Sequence, residues 1–183
     1  MDRESGYLRK AQTQIGPIMD AITLLKEDHR VVEALFKQVE ECGAHAHETR
    51  KRLFERIDRE LTIHSEVEES IFYPELKKRA IDRNNEHATE EVFEAFEEHA
   101  NIKGMLSKLT DVKASDETYN AKLQVLSELV KQHVHEEEQT MFKQAQSLFT
   151  QNELMELGEK IAAKKKSLVG AGNDMQVHAI GLR

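Results

Sequence analysis

The sequence predicts an all-α protein, an up-down-up-down antiparallel four-helix bundle with a short extra C-terminal helix. Apolar residues recur at alternating steps of three and four along four long stretches, which is typical of amphipathic helices. No stretch alternates with the period of two that a half-buried strand requires. Short links join the four stretches, and such links make neighbouring helices antiparallel. These patterns favour a bundle over any sheet.

The first helix is predicted to begin after Gly16 and Pro17, because proline is favoured at the first position of a helix. Its apolar stripe runs from Ile22 to Val39 in steps of three and four. His29 takes a place on this stripe where an apolar residue is expected. The first helix therefore places a histidine in the predicted core.

The second helix is predicted over about 48–78. Pro74 lies near its C-terminal end, where proline bends or ends a helix. Residues 83–85 predict the next break, because they are polar and include two asparagines. The third helix then carries an apolar stripe from Val92 to Leu109.

The fourth helix is predicted to follow the polar stretch 113–117, and a shorter fifth helix is predicted over 151–166. The first sixteen residues and the glycine-containing tail have the character of weakly ordered arms. We therefore expect three parts. They are an N-terminal arm over 1–16, a bundle with its fifth helix over 17–168, and a flexible C-terminal tail over 169–183.

Bulk composition narrows the function classes. The net charge of -8 over 183 residues speaks against a nucleic-acid-binding protein, which needs a basic face. The single cysteine, Cys42, excludes an internal disulfide framework and a cysteine-based metal site. No apolar run reaches the length of a membrane span, and no signal segment opens the chain. The sequence thus predicts a soluble, cytoplasmic protein that binds neither nucleic acid nor membranes.

Six metal-capable residues occupy stripe positions where core residues are expected. Two of the helices each carry a histidine and a glutamate four residues apart, which places each pair one turn apart on one face. The other two helices each carry a single histidine that follows an acidic residue. The predicted metal ligands are His29, His64, Glu68, His99, His133 and Glu137.

The two halves of this pattern repeat. His99 follows His29 by 70 residues, and His133 follows His64 by 69. His29 precedes the turn near Gly43 by about 14 residues, or roughly 21 Å of helix, and His64 follows it by a similar length. The other turns are balanced in the same way. All four histidines are therefore expected at one level of the bundle, with pseudo-twofold symmetry.

Energetics favour a metal at this level. Two ionised carboxylates in a bundle core would each cost several kcal/mol without a compensating charge, so a metal-free interaction bundle is disfavoured. Imidazole nitrogen combined with carboxylate oxygen suits iron, manganese or zinc. Glu68 and Glu137 could each bridge two metal ions about 3.5–4 Å apart. Six protein ligands leave coordination positions open for oxo, hydroxo, O2, peroxide or NO.

Four short motifs follow one another along the chain: Asp28-His29, His64-x-x-x-Glu68-Glu69, Glu98-His99 and His133-x-x-x-Glu137-Glu138. In this order they resemble the hemerythrin-like, or HHE cation-binding, family over about 21–149. The resemblance implies a carboxylate-bridged non-haem di-iron site with two iron ions per chain and bridging oxo or hydroxo species. Manganese or zinc are the alternative metals. It also implies a role in binding or sensing O2, NO or peroxide, or in handling iron.

The chain departs from the oxygen-carrying members of that family at Ala95, where they have a further histidine. Reversible O2 transport is therefore not the expected function. The missing histidine also leaves space for a further protein ligand, such as a tyrosine or glutamate. The alternative function is a di-iron enzyme with catalase-like peroxide activity or NO or O2 reductase activity. A ferritin-like site fits less well, because its Glu-x-x-His step is three residues. Sequence leaves open whether Asp28 and Glu98 support the ligands or face solvent.

Overall fold

The computed structural model describes residues 19–180, and it confirms the predicted all-helical bundle. There is no β-strand in this part of the chain. Two of the long helices contain a five-residue π-helical segment, so each is given in three parts. The helices are α1 Ala21–Glu40, α2 His47–Val67, π1 Glu68–Phe72, α3 Tyr73–Asp82, α4 Glu86–Thr110, α5 Tyr119–Glu136, π2 Glu137–Met141, α6 Phe142–Leu148 and α7 Gln151–Ile180.

The second long helix continues through Pro74 and ends only at Asp82. The sequence predicted a bend or an end near this proline. Pro74 lies in the first turn of α3, directly after the wider turns of π1. In that position its missing N–H group does not interrupt the helical hydrogen-bond pattern. The proline is therefore accommodated by the π-helical segment rather than ending the helix.

Local polar groups fix the helix ends. Asp20 caps α1, because its carboxylate accepts a hydrogen bond from the backbone N–H of Thr23 at 3.0 Å. Asn85 caps α4 in the same way through the N–H of Ala88 at 3.1 Å. Asn84 has φ of 53°, a left-handed conformation that asparagine tolerates better than most residues. The break predicted over 83–85 is therefore confirmed.

The bundle core consists of two apolar clusters. One contains Leu25 and Phe72, and the other contains Leu35 and Leu126. Along α1, His29 lies between the residues that belong to the first cluster and those that belong to the second. The predicted polar level thus divides an otherwise apolar core.

Helix α7 packs on α1 and α2 outside the four-helix arrangement. Its buried residues include Leu154, Leu157 and Ile161. It extends to Ile180, beyond the end predicted at residue 166. The flexibility expected for 169–183 remains a prediction, and the N-terminal arm expected over 1–16 lies outside the described residues. None of the described helices combines the length and apolar character needed to cross a membrane.

Gly158 allows α7 to approach the start of α1. An alanine Cβ at this position would lie 2.2 Å from the backbone oxygen of Met19. Gly158→Ala should therefore lower the free energy of unfolding by about 1–3 kcal/mol, measured by urea denaturation.

Gly104 provides a matched control, because it also lies within a helix and a Cβ there would meet nothing within 4 Å. Gly104→Ala should raise the free energy of unfolding by about 0.5–1 kcal/mol, since alanine is the better helix former. Equal effects of the two substitutions would contradict the close packing of α7 on α1.

Candidate metal centre

Four long helices each place one buried histidine at the same level of the bundle. His29 lies on α1, His64 on α2, His99 on α4 and His133 on α5. The imidazoles meet in pairs through their Nε2 atoms, at 3.2 Å between His29 and His64 and at 3.0 Å between His99 and His133. The structure therefore brings together the four histidines that the helix lengths predicted to lie at one level.

The two glutamates connect the pairs. Glu68 Oε2 lies 3.1 Å from His64 Nε2 and 3.4 Å from His99 Nε2. Glu137 Oε2 lies 3.2 Å from His29 Nε2 and 3.6 Å from His133 Nε2. Each carboxylate thus stands between a histidine of the first half of the chain and a histidine of the second half.

These side chains form two candidate ligand sets that share Glu68. The first set is His29, His64, Glu68 and Glu137, and the second is Glu68, His99 and His133. Within each set the donor atoms lie within 4.8 Å of one another.

Two carboxylate oxygens at the centre accept no hydrogen bond. They are Glu68 Oε1 and Glu137 Oε2, and both glutamates are buried, at 0% and 1% exposed. Glu137 Oε2 lies close to two imidazoles but is not aligned with an N–H donor. A buried carboxylate without hydrogen bonds is costly, and a cation bound between these donors would remove that cost. The donor set therefore fits a metal.

Each imidazole is held from behind by an acidic side chain. The Nδ1 atom of every histidine lies within hydrogen-bonding distance of a carboxylate oxygen, which fixes the ring and leaves Nε2 facing the centre. The role of Asp28 and Glu98, which sequence left open, is therefore to orient histidines on other helices. The pairs are His29 with Glu138 at 2.9 Å, His64 with Asp28 at 3.2 Å, His99 with Glu69 at 2.8 Å and His133 with Glu98 at 2.7 Å.

The π-helical segments begin at the two candidate bridging residues, Glu68 and Glu137. Such segments are uncommon and are frequent at functional sites. The wider turn brings the residue five positions after each glutamate onto the face of the centre. These residues are Tyr73 and Phe142, which are also related by the 69-residue repeat.

Tyr73 is a residue of the candidate centre that sequence reasoning did not find. Its Oη donates a hydrogen bond to Glu137 Oε1 at 2.8 Å and lies 3.3 Å from His99 Nε2. Burial and the two nearby carboxylates raise its pKa well above the ordinary value, so the hydroxyl keeps its proton. The internal repeat could have identified this residue, because Tyr73 has a hydroxyl at the position that corresponds to Phe142 in the second half.

The pKa shifts favour the charged forms of Glu137 and His29 and the neutral forms of Glu68 and His64. Burial and the charge of Glu137 raise the pKa of Glu68 well above its usual range. Burial also opposes ionisation of Glu137, but His133 and His29 outweigh it and hold the pKa of that carboxyl low. Burial would lower the pKa of His29, yet Glu137 and Glu68 raise it to about 9. The pKa of His64 falls to about 4, mainly through burial.

The fold and this cluster define a helical-bundle protein with a buried histidine and carboxylate site for metal. Residues 20–145 match the family model of the hemerythrin HHE cation binding domain. Since this match covers more than half of the chain, the protein belongs to the hemerythrin HHE cation-binding family.

Similar proteins are consistent with this membership. An uncharacterized protein of Mycobacterium tuberculosis is 29% identical over 154 residues, 84% of this chain and 89% of the relative. An uncharacterized hemerythrin-like protein of Schizosaccharomyces pombe is 27% identical and covers 81% of this chain and 69% of its own. The crystal structure of a hemerythrin HHE cation-binding-domain protein from Mycobacterium kansasii has a TM-score of 0.71 and 29% identity. It covers 84% of this chain and 89% of the other.

Metal binding to the metal-free protein should release protons, and metal affinity should rise with pH up to about pH 9. His29 has a pKa of about 9, and Glu68 holds its proton to higher pH than an ordinary glutamate. A metal must displace both protons, because imidazole and carboxylate bind in their deprotonated forms. The release can be counted with an indicator dye in weakly buffered solution near neutral pH.

The same titration above pH 9 is the control, because His29 has then already lost its proton and the count should fall. Metal binding without proton release at neutral pH would contradict the protonation of His29 and Glu68 before a metal binds.

Proposed function

We propose that this protein binds two iron ions and uses them to bind or sense O2, NO or peroxide, or to handle iron. The observation that carries the proposal is the position of Glu68 and Glu137, each between histidines of opposite halves. A carboxylate in this position could supply donor atoms to two neighbouring ions. The proposed ligands are His29, His64, Glu68, His99, His133 and Glu137.

The donor set supports iron over the alternative metals. Four imidazoles and two carboxylates are a nitrogen-rich set, whereas manganese prefers oxygen donors. Structural zinc sites are closed with four ligands, and this centre offers six ligands to two ions. When bound, iron would supply open coordination positions and redox chemistry for O2, NO or peroxide. Manganese and zinc remain as alternatives that metal analysis separates.

The residues around the ligands support binding of a small molecule. Ala95 lies one turn before His99, is buried, and offers no donor atom. Tyr73 lies against His99 instead, with its hydroxyl inside the cluster. The protein therefore provides a hydrogen-bonding hydroxyl where a further imidazole would fill a coordination position. This supports ligand binding at the centre rather than a fully saturated structural metal site.

Replacement of His64 or Glu137 by alanine should remove bound metal, because each contributes a donor to the shared centre. The wild-type protein should carry about two irons per chain at neutral pH, where these ligands bind best. Elemental analysis of purified protein measures the metal, and circular dichroism checks that the helices remain.

His87→Ala is the control, since this imidazole is 67% exposed and contacts Glu91 rather than the centre. It should leave the metal content unchanged. Fewer than about one metal ion per wild-type chain would overturn the site assignment.

A second candidate function is an enzyme that disproportionates peroxide at the same centre. The observation that favours it is the protonated Tyr73 hydroxyl, which donates to Glu137 at 2.8 Å among the proposed ligands. Conversion of peroxide to water and O2 requires protons to move between oxygen atoms. A buried hydroxyl next to a carboxylate can hold and return such a proton.

Tyr73→Phe should lower the rate of O2 release from peroxide by about a hundredfold, because a positioned acid or base contributes that much or more. An oxygen electrode measures the release from iron-loaded protein, with equal metal content verified in both samples. Tyr119→Phe is the matched control, since Tyr119 is also buried but packs against Phe54 in the other apolar cluster.

If the wild-type protein releases O2 continuously and the Tyr73→Phe variant does so at the same rate, the proposed proton transfer by Tyr73 is wrong. A wild-type protein that releases no O2 beyond one turnover would leave the first proposal, a binding or sensing protein, in place.

A further inference from the structure

Two seams of the bundle are equivalent under the internal repeat. The repeat relates α1 to α4 by 70 residues and α2 to α5 by 69 residues. The seam between α1 and α5 therefore corresponds to the seam between α4 and α2. The two seams present equivalent backbone positions to the metal centre, so differences between them follow from side chains.

The seam between α1 and α5 contains a cavity of about 380 Å³ that reaches His29. Its walls include Glu33 from α1, Val130 and Val134 from α5, and Glu138 from π2. Glu138 is also the acid that holds His29 Nδ1 at 2.9 Å. This cavity thus extends from the surface to a proposed ligand.

The seam between α2 and α4 contains a cavity of about 340 Å³ that is lined by Lys103 and lacks His99 on its walls. Lys103 Nζ donates to both oxygens of Glu69, at 2.6 and 2.8 Å. Glu69 in turn holds His99 Nδ1 at 2.8 Å. The ion pair joins α4 to π1 beside His99, so it covers this side of the centre.

The repeat shows why only one seam carries this pair. Glu69 corresponds to Glu138, but Lys103 corresponds to Glu33. Two carboxylates repel each other and cannot form the bridge. Glu138 Oε2 instead lies 3.7 Å from Lys26 Nζ. On α1, Lys26 lies before His29, and Glu33 lies one turn after His29. Within residues 19–180, no ion pair equivalent to Lys103–Glu69 therefore covers the side of His29 that faces Glu33, and the cavity lies there.

We propose that small uncharged molecules, a diatomic gas or peroxide, reach the centre through the α1–α5 seam beside His29. The Lys103–Glu69 pair closes the equivalent route beside His99. The inference rests on the proposed function, because it names the path taken by the ligand of that centre. The apolar side chains of Val130 and Val134 suit a small neutral molecule, and the size of the cavity admits one.

Rapid mixing of the reduced, iron-loaded protein with NO tests the route. Glu33→Lys supplies the missing cation opposite Glu138, and Val134→Phe fills the same cavity without adding charge. Each should lower the association rate constant by about tenfold. The equilibrium affinity should not change, because dissociation uses the same path.

Two control variants should bind NO within about twofold of the wild-type rate. Glu33→Gln removes the charge without providing a cation. Thr62→Phe places an aromatic ring in the α2–α4 cavity, where the route beside His99 is already covered. Wild-type rates in both Glu33→Lys and Val134→Phe, with the Lys–Glu138 pair visible in a crystal structure of the former, would overturn the proposal.

Xenon provides a readout that does not need iron. Pressurised crystals of the metal-free wild-type protein should hold xenon between α1 and α5 beside His29, and Val134→Phe should remove it. Absence of xenon there would overturn the proposed route. A wild-type centre that binds iron but none of NO, O2 and peroxide would contradict the proposed small-ligand function instead, and the xenon experiment would still test the cavity independently.

Discussion

The burial of two carboxylates among four imidazoles is the constraint on which the rest of the structure depends. Glu68 and Glu137 lie in a core that is apolar on both sides, and each has an oxygen that accepts no hydrogen bond. Buried carboxylates of this kind are tolerated only if positive charge or bound protons compensate their negative charge. Without metal, a proton on Glu68 and the charge of His29 supply that compensation. A bound cation would replace both, so proton and metal occupancy are alternatives at one site.

The internal repeat supplies a symmetric set of donors, and the chemistry depends on where the symmetry fails. Both halves provide two histidines, one buried glutamate, a π-helical segment and two supporting acids. Among the positions that differ between the halves are Tyr73, which corresponds to Phe142, and Lys103, which corresponds to Glu33. The first difference places a proton donor in one half. The second leaves a cavity beside His29.

The bundle and the meeting of the six candidate ligands could be predicted because both follow from a periodicity that a regular helix preserves. His64 and Glu68 share a face at a step of four, so their meeting needed no tertiary information. Tyr73 was missed because π1 shifts the register by one residue, and a step of five does not lie on a regular helical stripe. Asp28 is next to His29 in sequence but holds His64 on another helix, a pairing that only packing decides.

The Tyr73 hydroxyl lies beside His99, whereas the α1–α5 cavity lies beside His29, and this separation bears on the choice between binding and turnover. Phe142 stacks on His29 with ring centroids 5.8 Å apart and an interplanar angle of 6°, so that imidazole has an apolar neighbour. Tyr73 brings its hydroxyl to His99 across the cluster. With the proposed access beside His29, a ligand would arrive on the side without a phenolic proton. Turnover that used the Tyr73 proton would then need the ligand to reach the Tyr73 hydroxyl, whereas simple binding would not.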